Sequence, residues 1–189
     1  MCFNTQLSIS RTRAGITSCA ECDDRTPTRI EKIVVPLLLA QIDHPPSAQD
    51  DVLFGGVGCD AGRRRPDLAW FGRDRVIKVG IDEHSHDDRT VSCEMGKMHD
   101  QFVSWQKLLG CAVPVFYLKL NPDAYDGPNT RLDTRLSIVA NRVNELLTMD
   151  DISAFTTLVP HVEYFYYHSK AAFHIDAVRN AVDSFVLIG

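Results

Sequence analysis

Apolar residues recur at Ile30, Ile33, Val34, Leu37 and Leu38, the three- and four-residue spacing of one helix face. Pro36 interrupts this stretch and removes a backbone donor, so a kink or a late start is expected there. Residues 1–28 show no periodicity and read as an N-terminal tail, leaving 29–189 as one domain. Residues 43–64 carry Pro, Gly and Asp clusters and read as loop. Two short apolar segments, DLAWFG and RVIKVGI, then flank a turn at Gly72 to Asp74 and predict a β-hairpin.

Met95, Met98, Phe102, Trp105 and Leu109 repeat at helical spacing, and Gly110 supplies a stop. VPVFYLKL is a β-favouring run closed by the loop NPDAYDGPN, RLSIVANRVNELL is a second amphipathic helix, and HVEYFYY is a further strand. The stretch from Ala171 onward has helical character. Helix, hairpin, helix, strand, helix, strand, helix makes an α/β fold, a mixed central sheet flanked by helices.

Composition narrows the picture. A chain of 189 residues, 44% hydrophobic and 24% charged, has an ordinary globular balance. A net charge of −5 excludes a polycation that binds nucleic acid through bulk charge, but leaves room for a local basic groove. No apolar run approaches the roughly 20 residues needed to span a bilayer, so no membrane partner is expected. The six cysteines are too few for a disulfide scaffold, and the N-terminus lacks a signal-like apolar core. Residues 1–20 hold Arg11 and Arg13 and no acid, a composition shared by transit peptides and polar tails. The expected location is intracellular, cytoplasmic or nuclear, with organelle targeting open.

The chemistry concentrates between Arg63 and Asp100. Side chains alternate along the second hairpin strand, so Val76, Lys78, Gly80 and Asp82 share one face while Ile77, Val79, Ile81 and Glu83 share the other. Pairing of the two strands brings Asp67 and Asp82 within reach of one ion, and hard oxygen donors suit Mg²⁺ or Mn²⁺ better than zinc. An acid-rich turn after a strand is otherwise a solvated surface feature. Beside this one stands a basic flank of Arg63, Arg64, Arg65, Arg73, Arg75 and Lys78. Arginines that hold phosphates next to carboxylate-bound metal meet the needs of phosphodiester hydrolysis.

The order of these elements resembles PD-(D/E)xK-type, restriction-endonuclease-like nucleases, in particular endonuclease-like proteins of large DNA viruses and some protists. The matching residues are Arg64, Arg65, Pro66 and Asp67, then Asp82, Glu83 and His86. Cys93, Glu94 and Lys97 follow on a helix, and Asn121, Pro122, Asp123 and Tyr125 after a strand. The resemblance implies catalytic roles for Asp67, Asp82, Glu83, His86, Glu94 and Lys97, while the basic flank offers Arg63, Arg64, Arg65 and Arg75 as the residues that hold nucleic-acid phosphates. Two departures stand out. Gly80 occupies a position that is normally glutamate in that family, and Lys97 replaces a usual arginine. The stretch also resembles very-short-patch repair endonucleases and their allied homing endonucleases, which use a backbone carbonyl as a metal ligand. On that pattern Glu31, Asp67, the Gly80 carbonyl and His86-Asp87 correspond, with His86 as general base or water-positioning group.

The expected function is a metal-dependent DNA endonuclease, weakened or inactive if Gly80 stands where glutamate is needed. The alternative is a catalytically degenerate nucleic-acid-binding or scaffold protein on the same fold. RNA remains open as a substrate, and a homodimer suits a single-site domain that must cut two strands. Cys19-x-x-Cys22 has zinc-ligand spacing, but no second pair follows at a matching distance, which argues against structural zinc. Cys111 reads as a small core residue. The run from Tyr164 to Tyr167 reads as core before base-stacking surface.

Overall fold

The computed structural model describes residues 30–49, 66–82, 91–125, 127–167 and 184–188, without the side chains of 91–95, 97 and 184–188. The tail 1–28, the loop segment 50–65 and the acidic turn 83–90 therefore lie outside the described residues. Helix α1 spans Glu31–Leu39 and is followed by strand β1 (Ala48–Gln49) and the hairpin of β2 (Leu68–Phe71) and β3 (Val76–Ile81). Helix α2 (Val91–Leu109) leads to β4 (Val115–Leu120), helix α3 (Leu132–Thr148) to β5 (His161–Phe165), and β6 (Ser184–Ile188) comes last.

The six strands form one mixed sheet in sequential order from β1 to β6. β1–β2 and β2–β3 pair antiparallel, and β3–β4, β4–β5 and β5–β6 pair parallel. A parallel pair needs a crossover of a dozen or more residues, and the segments containing α2 and α3 provide the first two. The expected mixed α/β sheet is present.

The two sheet faces hold separate cores. On one face Leu68, Trp70, Ile77, Val79, Ile81, Phe116, Leu118, Leu120 and Phe165 pack against α1 and α3. On the other, Val76, Val115, Tyr117, Val162 and Tyr164 meet Met98, Phe102 and Trp105 of α2. Trp105 anchors this second layer, stacked on Tyr117 and edge-on to Phe71, with ring centroids 5.7 Å away in each case. Gly110 at φ +67° ends α2 in the left-handed conformation that a side chain resists.

Several expectations need correction. α1 begins at Glu31 with Pro36 inside it, so the helix does not start late at the proline, which stands on the exposed side where water can satisfy the carbonyl left without its N–H. The buried stripe of α1 is Val34, Val35 and Leu38, whereas Ile33 and Leu37 are about half exposed. Ala48–Gln49, read as loop, forms a strand too short to show a pattern; Ser47 N–H donates to the Ala69 carbonyl beside it. Ser184–Ile188, read as part of a helical tail, is a strand, since the edge of β5 offers hydrogen bonds to a chain rich in β-favouring residues. Cys111 is exposed instead of core.

β4 is buried along its whole length between both cores. Leu118→Ala at its centre should cost about 2–5 kcal/mol, read from the urea midpoint at unchanged m-value.

Candidate functional site

Register sets the site. Leu68 pairs with Val79, so continuing β2 back by one residue places Asp67 beside Gly80. Asp67 Oδ2 accepts a hydrogen bond from the Ile81 backbone N–H at 2.6 Å. Alternation along β3 puts Gly80 and Asp82 on the α2 face, as the sequence implies. A Cβ placed on Gly80 would lie 3.5 Å from Asp82 Oδ1 and 3.9 Å from Asp67 Oδ2. A methyl at Gly80 would thus make ordinary van der Waals contact with both carboxylates.

Asp82 keeps only 5% of its surface exposed. Its Oδ2 accepts from Lys119 Nζ at 3.1 Å and from the Tyr167 hydroxyl. Lys119 is the cross-strand partner of Gly80 in the parallel β3–β4 ladder and is itself buried. Its ammonium also lies 5.7 Å from the Tyr164 ring centroid, within cation–π range. One row lower, Lys78 donates to Gln101 of α2 at 3.1 Å. The α2 face therefore carries carboxylates and ammonium groups together at the C-terminal ends of β3, β4 and β5, the edge where open α/β sheets bind ligands.

Sequence reasoning missed Lys119 and Tyr167. Lys119 left one signal, a single charge inside the otherwise apolar run VFYLKL. Tyr167 left none, since it was indistinguishable from its aromatic neighbours; all four residues from Tyr164 to Tyr167 are buried.

Other candidates fall elsewhere. Arg75, expected on phosphates, is 7% exposed and donates to the Leu146 carbonyl near the end of α3 at 2.5 Å and to Asp74 at 2.9 Å. Its guanidinium is thus held by a helix terminus and a carboxylate of its own fold. Arg75 hydrogen bonding in turn holds the Asp74 carboxyl below its ordinary range. Glu94 and Lys97 lie within α2, with their side chains outside the described set. Glu83, His86, Arg63, Arg64 and Arg65 fall outside the described residues. α1, which begins at Glu31, packs on the opposite sheet face from Gly80 and Asp82.

The Asn-Pro-Asp-x-Tyr loop has an architectural role. Asn121 is fully buried and donates from Nδ2 to the Tyr166 carbonyl at 2.8 Å, and its own carbonyl and that of Asp123 accept from Arg135 at 3.3 and 2.7 Å. The Arg135 guanidinium lies 5.5 Å from the ring centroids of both Tyr125 and Tyr166.

The donor set fits a small hard cation in part. Asp67 and Asp82 each have a carboxylate oxygen within 4 Å of the position a Gly80 Cβ would take, and oxygen donors are what Mg²⁺ and Mn²⁺ prefer. Among the described residues no group of three or more His, Cys, Asp or Glu side chains converges as a metal site. No described helix is long and apolar enough to cross a membrane.

Lys119→Met removes the cation from a buried carboxylate and should cost about 3 kcal/mol in urea unfolding, with most of that recovered in the Asp82→Asn/Lys119→Met double variant. No family model matches the chain, and no curated protein and no solved structure matches it, so the chemistry of the site rests on its own geometry.

Proposed function

We propose that this protein is a metal-dependent endonuclease that hydrolyses DNA phosphodiester bonds, with Asp67 and Asp82 holding Mg²⁺ or Mn²⁺. The observation that carries this reading is the closeness of Asp82 Oδ1 and Asp67 Oδ2 to one point, 3.5 and 3.9 Å from the position a Gly80 Cβ would take. A divalent ion there supplies a water nucleophile at neutral pH and charge stabilisation for a phosphorane-like transition state. Lys119 keeps a fixed positive charge beside Asp82, in contact with its Oδ2. The absent Gly80 side chain leaves space for a backbone carbonyl, a water or a phosphate oxygen to complete the ligand set. Glu83, His86, Glu94 and Lys97 remain the candidates for proton transfer and phosphate orientation, and Arg63, Arg64 and Arg65 for the DNA backbone. The Gly80 carbonyl and His86 would act as in the very-short-patch pattern.

The second reading is a degenerate binding or scaffold protein on the same fold. It draws on the engagement of Asp82 Oδ2 by both Lys119 and Tyr167, which offsets the carboxylate charge before any ion arrives.

Incubation of the full chain with supercoiled plasmid and Mg²⁺ or Mn²⁺ separates the two. The endonuclease reading expects nicked or linear product that EDTA suppresses and Asp67→Ala abolishes. DNA retention in a gel without cleavage, unchanged by Gly80→Glu, would favour the binding reading. A duplex RNA of matching sequence tests the alternative substrate, and sedimentation tests for a homodimer. Replacing Arg63, Arg64 and Arg65 together should lower the log–log salt slope of DNA binding by up to about 3, since each phosphate contact contributes about 0.9. An unaltered slope would place these arginines off the DNA.

A further inference from the structure

Strand β5 breaks its own alternation at its end. Tyr164 packs in the α2-face core and Phe165 in the opposite core, as a regular strand requires. Continued alternation would return Tyr166 to the α2 face, yet its ring joins Phe165 in the α1/α3 core and Tyr167 joins Tyr164. The cause is Tyr166 at φ 63°, the one non-glycine residue with positive φ among those described. A bulky aromatic residue rarely adopts this left-handed conformation, and backbone strain of this kind gathers at ligand clamps and active sites. Here it carries the Tyr166 ring to the guanidinium of Arg135.

Arg135 stands in the first turn of α3 and is 7% exposed. Its Nη1 donates to the Asn121 and Asp123 carbonyls, and the Tyr125 and Tyr166 rings lie within cation–π range. The other edge of the guanidinium is empty. Nε is buried and has no hydrogen-bond partner. Nη2 makes no hydrogen bond among the described residues and is not buried, so that edge reaches solvent at its outer end.

Charge balance points the same way. Arg75 pairs with Asp74, Arg131 with Asp133 and Arg142 with Glu163, whereas no carboxylate among the described residues pairs with Arg135. Further along the same helix, Arg142 uses this very edge, with Nε and Nη2 on the Glu163 carboxylate at 2.6–3.0 Å. A cation taken out of water needs an anion, and neither a ring face nor the carbonyls on Nη1 bring an oxygen to Nε. Asn121 follows β4 and Tyr166 follows β5, so the guanidinium lies at the C-terminal edge of the sheet. The positive end of the α3 dipole lies there too and favours an anion.

We infer that the Nε–Nη2 edge of Arg135 is an oxyanion subsite that takes two oxygens of one phosphate group. Two parallel N–H donors match such a group bidentately, and the Asn121 and Asp123 carbonyls with the two tyrosine rings hold the fork in place for it. Phosphate approaches Nη2 from solvent and meets Nε behind it. Only the source of the phosphate rests on the endonuclease reading above: under it, the group belongs to a nucleic-acid backbone. A free phosphorylated ligand presents the same chemistry.

The test is titration of the full chain with inorganic phosphate against chloride at matched ionic strength. In ¹⁵N spectra of the parent, the Arg135 Nε–Hε signal, assigned through bonds, should shift with phosphate and saturate, while that of Arg142 stays still. This readout needs no variant to fold. Arg135→Lys keeps the charge and loses the fork, so phosphate should raise its thermal midpoint with about tenfold weaker affinity, the loss of one charge-assisted hydrogen bond. A merely structural arginine would leave the Nε–Hε signal unmoved and lower the variant's midpoint equally in both salts; either result overturns the inference. Arg135→Gln identifies the source. With a nucleic-acid phosphate, the log–log salt slope of duplex DNA binding should fall by about 0.9. An unchanged slope beside saturable phosphate binding would overturn the nucleic-acid source and support a free phosphorylated ligand. Uncut plasmid would count against the endonuclease and not against the subsite, whose titration involves no cleavage.

Discussion

Asp82 is a carboxylate taken almost wholly out of water, and much of the surrounding structure answers to that burial. An ionised carboxylate in an apolar layer is tolerated only with a counter-charge and hydrogen-bond donors. The counter-charge comes from β4, in the form of a lysine that is itself buried and so equally in need of a partner. The hydroxyl comes from the residue two beyond the end of β5. Three adjacent parallel strands thus converge on one oxygen atom, Asp82 Oδ2, and their register is tied to it.

The same requirement accounts for the odd chemistry of the strand ends. The Asp82 N–H donates to the Leu120 carbonyl, and the Asn121 N–H to the Phe165 carbonyl, which carries the parallel ladder one residue past each strand. Asn121 then turns its side chain to the Tyr166 carbonyl, and Arg135 of α3 gathers the carbonyls of Asn121 and Asp123. An arginine between two tyrosines on the α1/α3 face thereby supports a contact made on the α2 face. Rigid support of this kind is what a binding site gains when it is built on strand ends instead of free loops.

Glu163 offers an instructive contrast. It is also a buried strand carboxylate, but its partner Arg142 engages it through two nitrogens at 2.6–3.0 Å and faces partly to solvent. A bidentate guanidinium uses both carboxylate oxygens and leaves none directed at a ligand. Lys119 and Tyr167 converge on Oδ2 of Asp82, and its Oδ1 lies 3.5 Å from the position a Gly80 Cβ would take.

Local pattern alone determined the helices at Glu31–Leu39, Val91–Leu109 and Leu132–Thr148, the hairpin, and the strands β4 and β5, because each has a long enough apolar repeat to express one period. It also determined that Gly80 and Asp82 share a face, since a period of two is a property of any extended strand, and hairpin pairing then drew in Asp67. The short strand β1 and the strand nature of Ser184–Ile188 were decided by tertiary pairing, where an available edge outweighs a local preference. Lys119 came to Gly80 only through the register of a parallel pair separated in sequence by a whole helix, a distance over which local pattern carries no information. Tyr167 came to Asp82 only because Tyr166 takes a conformation that its residue type disfavours, held by an asparagine, a tyrosine and an arginine from distant parts of the chain. Sequence periodicity sets which side of a strand a residue faces; a conformation imposed from outside the strand can reverse that side, and only the assembled fold contains the forces that impose it.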